Sequence, residues 1–243
     1  MKPNITDSVF QRIEKKYLLS KEQYLMLGKA LAHQISIDQY GRHTILNIYY
    51  DTDHDDLIRH SIEKPPYKEK LRLRSYGIPS SNDLVYLELK KKWDKTVYKR
   101  RVALTLFQAE NYLNAHIHPN QDDQILREID YFIDFYQPTP KCFLAYDRIA
   151  CFSHSDPNLR ITFDANIRSR KDHLHLSEGD DGHLFFSDQE IIMEIKIPGA
   201  IPLWLSAILS ELKIYPISFS KYGKIYKHDL MLERNSHLCS PLF

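Results

Sequence analysis

Polar and apolar residues alternate one by one through several stretches of this chain, the pattern of strands with one wet and one dry face. In the run from Lys68 to Gly77, Lys68, Lys70, Arg72 and Arg74 share one face, and Leu71 and Leu73 share the other. Leu159 to Ile167 alternates without a fault, with Arg160, Thr162, Asp164 and Asn166 on the polar side. Glu190 to Ile197 sets Ile191, Met193, Ile195 and Ile197 against Glu190, Ile192, Glu194 and Lys196. Val9 to Leu19 places Arg12, Glu14 and Lys16 opposite Ile13 and Tyr17. Leu84 to Lys92 sets Tyr86, Glu88 and Lys90 against Val85, Leu87 and Leu89. Val97 to Leu104 carries Lys99 and Arg101 on one face and Arg100 on the other, and Lys141 to Phe152 places Tyr146 with Arg148. The short apolar run Ile45 to Tyr50 completes eight predicted strands. Residues 68–104 read as a meander of three antiparallel strands.

Helical spacing fills the gaps. Ser20 and Gln23 form a capping box, and the helix runs to about Ala32 with Tyr24, Leu27 and Leu31 on one stripe. Asp51-Thr52-Asp53 caps a short helix through Leu57 and Ile58, which Pro65-Pro66 breaks. Thr105 caps a helix through Tyr112. Asp122 to Tyr136 is helical, with Ile125, Ile129 and Phe132 at that spacing, and Pro138 and Pro140 end it. Two more helices run from Pro202 to Leu212, with Trp204, Leu205 and Leu209 as a core stripe, and from about Tyr222 through Leu230 and Leu232. Ser169 to Asp188 is a polar loop, expected to be mobile. No repeat, low-complexity tract or linker divides residues 1–243, so a single domain is expected.

Composition narrows the classes. The chain has 243 residues, 43% hydrophobic and 27% charged, which is globular and not disordered. Its net charge is only +1, so any basic site must arise by segregation of charge. That balance argues against a nucleic-acid partner. The three cysteines, Cys142, Cys151 and Cys239, are odd in number and form no CxxC pair. The expected compartment is therefore the reducing cytoplasm. Met1 to Asp7 has no apolar core of a signal peptide, and Ala200 to Leu209 is too short to span a bilayer, so no membrane insertion is expected. His173 and His175 lack the further ligands of a zinc site and read as solvated loop residues.

The cations recur on strands whose opposite face is apolar, and two architectures fit. An open sheet would turn its charged face to water. A closed barrel would turn the charges inward, as a polar tunnel, with helices on the apolar outside. Unpaired buried cations are prohibitive, so such a tunnel is wet or holds a polyanion. The acids on the same faces, Glu14, Glu88, Asp164 and Glu194, either pair with the cations or hold a divalent ion. No GxxxxGK[ST] loop exists, so a triphosphate would be held by side chains.

Taken in order, Glu14-Lys15-Lys16-Tyr17, Tyr49-Tyr50-Asp51-Thr52, Lys70 to Gly77, Glu88-Leu89-Lys90, Tyr146-Asp147-Arg148, Arg160 to Asp164, Glu194-Ile195-Lys196 and Ser220-Lys221-Tyr222-Gly223 form a recognisable set. It resembles the polyphosphate polymerase domain of the vacuolar transporter chaperone (VTC) family, within the triphosphate tunnel metalloenzymes or CYTH superfamily. The resemblance covers about Phe10 to Tyr226. It implies an α+β fold: an eight-stranded antiparallel β-barrel tunnel with helices packed outside. It implies ATP and inorganic polyphosphate as partners, a divalent metal (Mn²⁺ or Mg²⁺), and transfer of the terminal phosphate of ATP onto a growing chain. By the same resemblance Lys16, Arg72, Arg74, Lys90, Arg148, Arg160 and Lys221 are the catalytic cations. Arg59, Lys99, Tyr146 and Ser220 bind substrate, Lys99 with a possible shift of register to Arg100 or Arg101. Glu194 and Glu14 are the expected metal ligands. Arg12 stands where many relatives carry a first acid, which weakens a two-metal hydrolytic arrangement. The phosphate-sensing and transmembrane additions of the eukaryotic polymerases are not seen. An inorganic triphosphatase or nucleoside triphosphatase of the same fold, and a polyphosphate-binding module without turnover, remain as alternatives.

Overall fold

Ser20 and Thr105 end strands and begin helices in the same way. Each hydroxyl accepts from the backbone N–H three residues on, and Gln23 and Gln108 return the bond to the cap's own N–H. The first is the capping box the sequence predicts; at Thr105 the sequence predicts a cap, and the structure completes it with Gln108, so that each box satisfies two otherwise orphaned donors. The structure, a computed structural model, describes residues 12–94, 96–121, 123–186 and 189–238. In chain order the elements are β1 (Arg12–Ser20), α1 (Lys21–Leu31), β2 (Ile35–Asp51), α2 (Asp56–Glu63), β3 (Tyr67–Tyr76), β4 (Leu84–Trp93) and β5 (Thr96–Thr105). There follow α3 (Leu106–Ala115), α4 (Gln124–Tyr136), β6 (Thr139–Ser153), β7 (Arg160–Arg170), β8 (His183–Leu184), β9 (Glu190–Pro198), α5 (Leu203–Glu211), β10 (Pro216–Ile217) and α6 (Lys221–Leu238). The first residues of the predicted opening strand, 9–11, lie outside the described residues, as does the side chain of Arg12.

The fold is α+β, a largely antiparallel sheet with helices on its apolar face. Hydrogen-bonded strands follow the order β10-β1-β9-β7-β6-β2-β3-β4-β5, with β8 on β7. The predicted barrel is not closed by backbone pairing: among the described residues the path ends at β10 and β5.

By contacts the chain falls into two compact units. The first comprises Met1–Arg42, Arg148–Ala165 and Asp188–Ser218, and the second His43–Asp147, Asn166–Ser187 and Phe219–Phe243. Each has its own core. In the first, Tyr17, Ile161, Met193 and Ile195 pack with Leu27 and Leu31 of α1 and Leu205 and Leu209 of α5. In the second, Leu71, Leu73, Leu87 and Leu89 pack with Leu106 and Leu113 of α3 and Ile129 and Phe132 of α4. Those four leucines are at most 1% exposed. Each contributes about 1.5–3 kcal/mol by burial. A slip of one residue would exchange them for Arg72 and Glu88, so apolar burial sets which face carries the charges.

Three features differ from the sequence pattern. β2 begins ten residues before Ile45; none of residues 35–44 is buried, so they carry no dry face and show no alternation. Gly41 sits there at φ +57°, a backbone only glycine adopts cheaply. Pro140 does not merely stop α4 but lies inside β6. The loop expected to be mobile is organised around Arg170. Its guanidinium donates to the carbonyls of His173, His175 and Asp181 and lies 3.6 Å from the Phe143 ring centroid, while Leu176 enters the core.

Candidate functional site

In the second unit the polar face of β2–β5 converges on one carboxylate. Glu88 is 2% exposed. Arg72 reaches its Oε2 through Nε at 2.7 Å and Nη2 at 2.6 Å, and Lys99 Nζ lies 2.7 Å from Oε1. Arg101 Nε at 3.5 Å and Arg74 Nη1 at 4.0 Å complete the set. Register explains the convergence: Arg72, Glu88 and Arg101 stand directly opposite one another on β3, β4 and β5. Burial alone would raise the Glu88 pKa, but Arg72, Arg74 and Lys99 outweigh it and hold the carboxyl far below its usual range.

The cations are further oriented by neutral groups. Arg72 Nη1 donates to the Tyr49 hydroxyl at 3.1 Å. Arg74 donates through Nε to Asn47 Oδ1 at 2.9 Å and through Nη2 to the Tyr146 hydroxyl at 3.1 Å. Arg101 lies over the Tyr86 ring, 3.6 Å from its centroid. At the start of α6, Lys221 Nζ sits 4.7 Å from the Tyr146 ring centroid and Ser220 Oγ accepts from Lys70 Nζ at 3.3 Å. Tyr222 stacks on Tyr49 with centroids 4.5 Å apart. Lys90 is exposed and stands opposite Lys70 and Lys99. The register of β5 is settled: Lys99 shares the Glu88 face, while Arg100 turns away to Glu128 at 3.1 Å. Arg59 stands apart. It is an exposed residue of α2, lining a surface cavity of about 390 Å³ with His60, Tyr67 and Tyr136.

Lys99 makes the cluster pH-sensitive. Burial, with Arg72 and Arg74 beside it, pushes its pKa down to about 8 against the pull of Glu88. Its side chain is 46% exposed, so water offsets part of that push, and a bound phosphate chain would favour the charged amine. Tripolyphosphate affinity is therefore expected to fall as the pH rises through about 8, with a proton taken up on binding. Calorimetry in buffers of different ionisation enthalpy measures the uptake, and Lys99→Arg should abolish it. A wild-type protein that binds without proton uptake at pH 9 contradicts this.

The first unit holds the remaining predicted residues. Across β1 and β9, Lys16 stands opposite Glu194, and Glu14 opposite Lys196. Lys16 Nζ lies 3.1 Å from Glu14 and 3.6 Å from Glu194, and Lys196 Nζ lies 3.4 Å from Glu194. Arg148 grips the fully buried Asp164 at 2.6 and 2.7 Å and approaches Glu194 at 4.0 Å. Arg160 is mostly exposed and pairs with Asp38 at 3.5 Å. Thr162, opposite Glu194, has a buried hydroxyl oxygen without a hydrogen-bond partner. Among the described residues no group of three or more His, Cys, Asp or Glu side chains is arranged to hold a metal. His173 and His175 instead pair with Glu178 and Glu110. Burial pushes the Cys142 thiol up to about 12 and the Cys151 thiol up to about 11, as suits packing residues.

Sequence pattern left Asn47, Tyr49 and Tyr222 without roles, because aromatic and amide residues on a strand or helix start look like ordinary packing. It placed Glu88 on the correct face, but only the register shows it as the hub of four cations.

The VTC domain model matches residues 11–228. The chain belongs to the VTC domain family. No curated protein sequence matches this VTC domain significantly. Solved structures with the same fold include an adenylate cyclase candidate from Bacillus halodurans, with 18% identity, TM-score 0.54, and coverage of 86% of this chain and 93% of that one. Another is an adenylyl cyclase candidate from Hippeastrum described as having a dominant triphosphatase activity, with 16% identity, TM-score 0.52, and coverage of 89% and 96%. At these identities the likeness is one of fold. No described helix of the VTC domain is long and apolar enough to cross a membrane.

Proposed function

We propose that this VTC domain is an ATP-dependent polyphosphate polymerase. The observation that carries the reading is the cluster at Glu88, where four cations meet one carboxylate. The cluster has a surplus of positive charge on a pre-assembled framework, and a buried Arg101 Nε without an aligned acceptor. Such a site suits the non-bridging oxygens of a phosphate chain. In the reaction a terminal oxygen of polyphosphate attacks the γ-phosphorus of ATP. The bond from that phosphorus to the β,γ-bridging oxygen breaks, and ADP leaves with the electron pair. Phosphoryl transfer of this kind needs positioning and charge neutralisation, and no covalent protein nucleophile. Within the second unit Arg72, Arg74, Lys99 and Lys90 supply such cations; within the first, taken by itself, the same reading assigns Lys16, Arg148 and Arg160 to phosphate oxygens. Lys221 and Ser220 sit at a helix start, where they add a charge and a hydroxyl. Arg59 is a more peripheral binding cation.

Glu194 and Glu14 fit a hard divalent ion. They are carboxylates now bridged by Lys16 and Lys196, beside the unsatisfied Thr162 hydroxyl, and Mg²⁺ or Mn²⁺ is commonly bound by one or two carboxylates plus substrate phosphates. Such an ion would add charge neutralisation at the phosphates. Incubation with ATP and Mn²⁺ or Mg²⁺ should give long polyphosphate on a gel, and Glu194→Gln should lower its yield. Phosphate release from ATP or tripolyphosphate without chain growth would instead establish the triphosphatase reading, which the Hippeastrum protein's described activity favours. Tight polyphosphate binding with no product under any metal would make the chain a binding module.

A further inference from the structure

The first turn of α6 fastens that helix to the second unit. Of residues 221–232 only Tyr222, Gly223 and Ile225 are buried. Ser220 caps the turn: its Oγ accepts from the Gly223 N–H at 3.3 Å and its carbonyl from the Lys224 N–H at 2.8 Å. A Cβ on Gly223 would come within 3.3 Å of Ser220 Oγ and 3.7 Å of Ile62 Cγ1 on α2, so glycine permits this close approach. The Tyr222 hydroxyl donates to Oδ2 of the fully buried Asp51 over 3.5 Å. Asp51 is itself fixed, accepting from the N–H groups of Thr52, Leu57 and Ile58 at 2.8 Å each. Burial first, then Asp51, push the Tyr222 pKa up, so the phenol remains a donor.

Two neighbouring residues of this turn touch two different tyrosines. Tyr222 stacks on the Tyr49 ring at 4.5 Å with 17° between the planes, and the Tyr49 hydroxyl accepts from Arg72. Lys221 lies over the Tyr146 ring, and the Tyr146 hydroxyl accepts from Arg74. Glu88 holds one part of the Arg72 guanidinium and Tyr49 another. The ring torsion of a tyrosine is broad, so the Tyr49 hydroxyl stays in place only if packing fixes its ring. We propose that Tyr222 is a positioning residue: its ring, seated by Asp51, holds Tyr49 so that the Tyr49 hydroxyl sets the Arg72 guanidinium for phosphate oxygens. Tyr222 acts through Tyr49, and the role rests on the phosphate-binding reading of Arg72. The ring carries more of the effect than the hydroxyl, because the bond to Asp51 is long and Asp51 keeps three backbone donors without it.

The test is a double-mutant cycle on the full chain, read as tripolyphosphate affinity by calorimetry at low ionic strength. Tyr222→Met fills much of the ring's space without its plane, and should weaken binding about fivefold. With Arg72→Ala already in place the same change should cost less than about twofold, the coupling expected of residues that share a partner. Tyr222→Phe keeps the stack and should recover affinity to within about twofold of the wild type. A packing role without positioning would weaken binding equally with and without Arg72, and that result overturns the proposal. So does a Tyr222→Phe protein that loses as much affinity as Tyr222→Met. If Tyr222→Met melts below the assay temperature, Tyr49→Phe replaces it in the cycle. That change keeps the stack and removes the acceptor of Arg72, so its loss should vanish with Arg72→Ala, and an equal loss in both backgrounds overturns the relay. Because the readout is binding, the role can stand even if no polymer is made from ATP. A wild-type chain that binds no tripolyphosphate overturns the phosphate-site reading and this role together.

Discussion

Arg72→Ala should lower kcat/KM for ATP-dependent chain growth by about 10²–10³-fold, the cost of removing one preorganised charge donor from a phosphoryl or oxyanion site. Arg72 is the cation most firmly held by Glu88, with contacts at 2.6 and 2.7 Å, and Tyr49 fixes its other nitrogen. A guanidinium locked in this way meets phosphate oxygens without first being ordered, and that advantage disappears with the side chain. Arg72→Lys should recover only part of the activity, because an ammonium lacks the planar fork that spans Glu88 and Tyr49. Loss of the charged hydrogen bonds also costs about 2 kcal/mol of stability, so a thermal melt must accompany the kinetics. Unchanged chain growth in a folded Arg72→Ala protein would remove this residue from the site.

The largest stability effect is expected at Glu88. Glu88→Ala leaves Arg72, Arg74, Lys99 and Arg101 facing one another without their shared counter-charge. Breaking a buried ion pair from one side costs about 3–5 kcal/mol. For a chain of this size that is a fall in Tm of about ten degrees. Added tripolyphosphate should raise the Tm of Glu88→Ala more than that of the wild type, because the ligand replaces the missing negative charge. Glu88→Gln, close in shape, separates charge from packing. The pH dependence has a definite sign. The folded-state pKa is depressed, so the contribution of Glu88 is complete above the ordinary carboxylate range and is lost only as the pH falls below it. Urea melts at pH 7 and pH 3 should differ less for Glu88→Gln than for the wild type. An equal difference would mean that Glu88 is not the linked group.

Much of this was legible along the chain. The alternation at Lys68–Arg74 and Glu190–Ile197 reports which side chains share a face, because strand geometry turns every second residue the same way. Ser20 and Thr105 announce their helices because a cap is a local hydrogen bond. Arg170 was not legible. Its partners are carbonyls of a polar loop, which carry no side-chain signature, so a segment with the composition of a mobile loop is pinned. The first half of β2 was hidden for a related reason: none of residues 35–44 is buried, so burial writes no pattern into it.

By itself the sequence determined the strand faces, the helix starts, the membership of a family and which cations share a polar face, all of which depend on short-range periodicity or on residue type. Tertiary structure alone decided that Arg72, Arg74, Lys99 and Arg101 share Glu88, that Arg100 does not, and that Lys70, Lys90 and Lys99 stand opposite one another. Those outcomes depend on register between strands distant in sequence. Register is set by the simultaneous burial of Leu71, Leu73, Leu87 and Leu89 against α3 and α4, which no single strand can specify.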